Sequence, residues 1–107
     1  MSFDKSSDLQ LIKSKKIQDL FAFRVSVFND LRGSIYTTYL KTKFRNFLPD
    51  NLEFVHDKFS QSKKNVLRGL HGDNKTWKLV TCVYGEIQQV VVDCRPDSNS
   101  YMQWESY

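Results

Sequence analysis

Short runs of β-branched and aromatic residues, each closed by a turn signal, set the limits on what this chain can fold into. Residues 17–27 lead to Asn29-Asp30-Leu31-Arg32-Gly33, residues 34–40 to Leu48-Pro49-Asp50-Asn51, and residues 52–59 to a Ser/Lys turn over 60–65. Residues 66–71 then run into Gly72-Asp73-Asn74-Lys75, and Gly85 separates residues 76–84 from 86–94 as a hairpin turn would. After a loop over 95–100, residues 102–107 begin another strand-like segment with little left to pair with it. No ten-residue stretch shows the capped 3.6 period of a helix, so the pattern predicts an all-β sandwich or barrel. Closing such a sandwich takes about eight strands against about six offered here, so a partner chain or further polypeptide is expected to cover the edges.

Hydrophobic residues at 40% and charged residues at 26% of 107 fit one soluble globular domain. The apolar runs are far shorter than the ~20 residues that span a bilayer, and the start MSFDKSSD lacks a secretory apolar stretch, which points to the cytoplasm and away from a membrane. Residues 1–16, with Lys13, Lys15 and Lys16, read as an extension or short helix leading into a domain over 17–107. A net charge of +4 suits an anionic partner without choosing one. Nucleic acid is disfavoured, because the lysines are spread through turns with no aromatic strand pattern for base stacking. Cys82 and Cys94 lie in apolar stretches without CxxC spacing and are expected as reduced, buried thiols.

The strongest chemical signal is Arg68-Gly69-Leu70-His71 followed by Lys78-Leu79-Val80, which brings a proton-transfer group and two cations onto neighbouring strands. A histidine can remove a proton from carbon next to a ketone when a nearby cation takes up the developing enolate charge, and Lys78 suits that part. Arg68 suits a diphosphate, which its planar fork of donors matches. On spacing alone, a histidine beside an apolar strand is more often structural than catalytic. A metal reading through His71-Gly72-Asp73 and Glu86 offers one histidine and scattered carboxylates, a poor ligand set. Asn29 to Gly33 reads first as a turn, with Asp30 capping local amides and Arg32 either solvated or turned to an anion. His56 and Lys58 share one face of their strand, which either lines a pocket or faces water. Tyr36, Tyr39, Trp77, Tyr84, Tyr101 and Trp104 are expected mostly in core or interface.

These residues together resemble the dTDP-4-dehydrorhamnose 3,5-epimerase family. Phe28-Asn29-Asp30-Leu31-Arg32-Gly33 resembles its F-x-D-x-R-G, Phe54-Val55-His56-Asp57-Lys58 its F-V-Q-D-N, and residues 60–71 its S-x-S-x-x-x-V-L-R-G-L-H. Lys78-Leu79-Val80 and the run from Gly85 to Arg95 continue in the same order. The resemblance implies a dimeric cupin jelly roll, represented by its N-terminal portion, working without metal or other cofactor on a nucleotide-diphosphate 4-keto-6-deoxy sugar. It implies His71 as general base and Lys78 as the enolate-stabilising cation. Arg32, His56, Lys58, Ser60, Arg68 and Asp73 fall at substrate-contacting positions. His56 and Lys58 replace the family's glutamine and asparagine, and residues 71–78 are more similar to a branch acting on GDP-linked 4-keto-6-deoxy-heptoses for surface polysaccharides. The family's proton-donating tyrosine and the aspartate orienting its base lie in the second half of the barrel, so neither Tyr101 nor Tyr107 takes the acid role.

Overall fold

The computed structural model describes residues 9–107. It is built from antiparallel hairpins with one short helix, the all-β architecture expected. The first eight residues of the expected extension lie outside the described residues. From Leu9 onward it is neither tail nor helix: β1 (Leu9–Lys13) pairs with β2 (Phe21–Val25) in the register Leu9↔Val25, Leu11↔Phe23, Lys13↔Phe21. The period of two puts Leu9, Leu11, Phe21, Phe23 and Val25 on one face, and Leu9 is 1% exposed. The connecting turn is tied by the Ser14 amide donating to the Leu20 carbonyl (3.2 Å), while Ser14 Oγ accepts from the Ile17 amide (2.9 Å).

β3 (Phe28–Asp30) and β4 (Gly33–Ile35) form the second hairpin around Leu31-Arg32. Asp30 caps this turn by accepting from the Arg32 amide at 2.7 Å, and Gly33 sits at φ 136°, a conformation that favours glycine. This turn is the one the sequence predicts.

No helix was expected, yet α1 (Lys41–Phe44) makes a single turn. One turn is too short to display a period, and Leu40 provides no side-chain cap, so neither sequence signal exists. Burial supplies its stabilisation instead. Phe44 packs on Phe23 (ring centroids 4.4 Å apart) and Tyr39 (5.2 Å), while Phe47 reaches Phe21 and Phe23, each at 5.6 Å. Tyr39 meets Phe54 edge-on at 5.8 Å. This aromatic cluster on the Leu9 face of the first hairpin is the core.

The third hairpin departs from expectation. Gly85 does turn, at φ 80°, but residues 76–84 do not pair with 86–94. β5 (Val90–Val92) pairs instead with β6 (Trp104–Ser106), the terminal segment expected to lack a partner. The pairing extends through reciprocal Gln89 and Tyr107 bonds of 2.9 and 2.8 Å. Of the remaining predicted strands, residues 55–59, 66–71 and 76–83 have no regular secondary structure and are exposed. Cys82 and Cys94 are exposed thiols rather than buried ones, because the segments around them have no covering layer among the described residues. Among the described residues, no helix is long and apolar enough to cross a membrane.

Candidate active site

The residues read as chemical lie mostly on the exposed stretch 56–78, with Arg32 on the separate β3–β4 turn. Arg68 is held locally: its Nε donates to Ser62 Oγ at 2.8 Å and its Nη2 to the Gln61 carbonyl at 3.4 Å. The turn between His71 and Lys78 is shaped by Asp73, whose Oδ1 accepts from the amides of Lys75 (2.8 Å) and Thr76 (2.6 Å). Those amide bonds, with a smaller contribution from the Lys78 charge, hold the Asp73 carboxyl below its ordinary range. Asp73 and Lys78 are therefore within electrostatic reach of each other.

Arg32 does not join them. It forms an exposed ion pair with Asp30, whose carboxyl is lowered by that guanidinium and by the Arg32 amide. His56, Lys58, Ser60 and His71 lie exposed on the same stretch and enter no hydrogen bond among the described residues. One long-range tie reaches the far side of the stretch, from the Tyr36 hydroxyl to the Val83 carbonyl at 3.4 Å. Among the described residues there is no group of three or more His, Cys, Asp or Glu side chains that could hold a metal ion.

Asp93 and the loop over 95–100, a motif end and a turn in the sequence, form a densely hydrogen-bonded polar cluster among the described residues. Asp93, 4% exposed, accepts from Arg95 Nε (2.9 Å), the Arg95 amide (3.0 Å), Ser98 Oγ (2.6 Å) and Ser100 Oγ (2.6 Å). Arg95 continues to Asp19 at 3.0 Å and to the Gln18 carbonyl at 2.6 Å, and the Gln18 amide donates to Ser100 Oγ at 3.1 Å. Asp93 is thereby held far below the ordinary carboxylate range, chiefly by Arg95. Nearby, Glu105 accepts from Ser14 Oγ and from the Tyr107 hydroxyl (3.0 Å), and Lys16 lies 5.6 Å from the Trp104 ring centroid. The turn after β1 is thus latched to the β5–β6 hairpin. The signal in the sequence was Asp-x-Arg with serines five and seven residues after the aspartate, a spacing that lets one carboxylate gather both hydroxyls.

The family model described as dTDP-4-dehydrorhamnose 3,5-epimerase matches residues 14–107. The dTDP-4-dehydrorhamnose 3,5-epimerase of Salmonella typhimurium is 38% identical over 99 residues, covering 90% of this chain and 54% of that protein. The protein of that name from Escherichia coli (strain K12) is 40% identical over 92 residues, 83% of this chain and 50% of the relative. A third, from the archaeon Methanothermobacter thermautotrophicus, is 39% identical over 82 residues, 73% and 43% of the two chains. The chain spans about half the length of the curated relatives it matches. With that match across nearly all of its length and an all-β architecture consistent with a cupin, the chain belongs to the dTDP-4-dehydrorhamnose 3,5-epimerase family.

Proposed function

We propose that this chain carries the proton-abstracting part of an epimerase acting on a nucleotide-linked 4-keto-6-deoxy sugar, at C3, C5 or both. The observation that carries the reading is the stretch from Arg68 to Lys78, whose Arg-Gly-Leu-His and lysine stand in the family's order with the Asp73 turn set between them. His71 removes the proton alpha to the C4 ketone, and Lys78 holds the enolate oxygen as its charge develops. A proton returned to the opposite face completes the inversion. Arg68 and Arg32 bind the diphosphate, and His56, Lys58, Ser60 and Asp73 line the sugar-nucleotide path. The chemistry calls for no redox cofactor and proceeds on a soluble cytoplasmic substrate, with two copies of the protein assembling as a dimer.

The relatives' names favour dTDP as the nucleotide, and the GDP-heptose branch suggested by residues 71–78 finds no support in them. The test is solvent-deuterium incorporation, followed by NMR, into dTDP- and GDP-linked 4-keto-6-deoxy sugars by the gene product. Exchange is expected with the dTDP sugar, and lost at least a thousandfold in His71→Asn. Absence of exchange with both substrates leaves a binding role; retained exchange in His71→Asn removes that residue as base.

A further inference from the structure

Three arginines of this chain present the same edge of the guanidinium, the Nε–H beside one Nη2–H, to nearby oxygens, and they differ in what accepts. Arg32 gives that edge to the Asp30 carboxylate, and Arg95 gives it to Asp93 at 2.9 and 3.0 Å. Arg68 gives it to neutral oxygens, through Nε to Ser62 Oγ at 2.8 Å and through Nη2 to the Gln61 carbonyl at 3.4 Å. The charges of Arg32 and Arg95 are therefore compensated where they sit. Arg68 is oriented without an ion pair among the described residues, and its remaining edge, Nη1 with Nη2, is a fork that two oxygens of a phosphate group fit.

The local chain brings Ser62 to this place. The Val66 amide donates to the Lys63 carbonyl at 3.3 Å, closing a turn in which Asn65 takes φ 67°, a left-handed conformation that asparagine adopts more readily than most residues. The turn folds Gln61 and Ser62 back beside a side chain six and seven positions further on. An unheld arginine loses its rotamer freedom only on meeting an anion, and that loss weakens the encounter; two local acceptors have already removed much of it from Arg68.

We propose that Ser62 is the positioning residue of Arg68, its hydroxyl fixing the guanidinium with the Nη1–Nη2 fork open and the positive charge intact for the diphosphate of a sugar nucleotide. The inference deepens the proposed function and rests on its reading of Arg68 as a diphosphate contact. Ser62 itself touches no substrate in this role. A carboxylate at position 62 orients the arginine but cancels its charge, whereas an alanine leaves the charge without the orientation, so substitutions there separate the two contributions.

The test titrates thymidine diphosphate, the nucleotide in the relatives' names, into the 107-residue chain by calorimetry and follows solvent exchange of the Arg68 Nε–H by heteronuclear NMR. Ser62→Ala is expected to weaken binding about fivefold to tenfold and to lose the slowed exchange of the Nε–H, and Ser62→Thr to retain both. Ser62→Asp is expected to keep the Nε–H slowed yet weaken binding about tenfold, an outcome that a merely structural serine does not produce. In an Arg68→Lys background, itself weakened about tenfold, Ser62→Ala is expected to add nothing, because the hydroxyl then has no Nε–H to orient. Binding by Ser62→Ala equal to that of the unsubstituted chain, while Arg68→Lys is weakened, overturns the positioning role and leaves Arg68 as a diphosphate contact. Binding unaffected by Arg68→Lys, or absent from the unsubstituted chain, overturns the reading of Arg68 itself and the proposal with it.

Discussion

Asp93 shows how one carboxylate can organise residues remote in sequence. It joins Arg95, Ser98 and Ser100, and through Arg95 reaches Gln18 and Asp19 in the turn after β1. Asp93→Ala strands these donors and is expected to lower the melting temperature by roughly 5–10 °C. Asp30→Ala, which removes an ion pair exposed to water, is expected to leave it unchanged, and calorimetry of the two variants checks the contrast. The sign of the pH effect follows from the lowered Asp93 carboxyl. Its contribution is fully present above the unfolded value of about 3.9 and is lost as pH falls further towards its folded value. Stability is therefore expected to hold down to about pH 4 and fall below it, with a shallower acid limb in Asp93→Asn. The sequence made His71, Lys78 and Arg68 legible as residue types in order, because acid–base chemistry follows from the side chain itself. It did not make the Asp93 latch legible, because hydrogen bonds spanning more than 70 residues leave no local pattern.

At the scale of elements, legibility followed the range of the interactions. The β3–β4 turn could be read because Asp30 and Gly33 act within four residues. The pairing of β5 with β6 could not, because the choice between residues 76–84 and 102–107 as partner is made by packing rather than by the turn at Gly85. Helix α1 is stabilised by tertiary contact: Phe44, 3% exposed, is surrounded by Phe23, Tyr39 and Phe47. Phe44→Ala is expected to cost about 3 kcal/mol and Phe44→Leu less than about 1.5 kcal/mol. Urea denaturation followed by far-UV circular dichroism measures both. Loss of β1–β2 protection in Phe44→Ala would place the helix and first hairpin in one cooperative unit, since both sides of the cluster share that ring.

For the whole molecule, exposed area governs how sharply the chain unfolds. An unfolded chain of 12.6 kDa exposes roughly 18,300 Å², so a compact fold of that mass buries roughly 12,100 Å². The structure, at 10088 Å², buries roughly 8,200 Å² on the same reference. Because the urea m-value scales with area exposed on unfolding, the isolated chain should show roughly two-thirds of the m-value usual for its length. Its radius of gyration of 15.8 Å, against about 13 Å for a compact chain of this length, belongs to the same open form. Small-angle scattering should return this larger value for the chain alone, and both quantities should move to the compact values when residues 53–88 are covered. A full-sized m-value with a radius near 13 Å for the isolated monomer would mean that the chain covers its own apolar stretch in solution. The candidate site on that stretch would then be shielded by the chain's own residues.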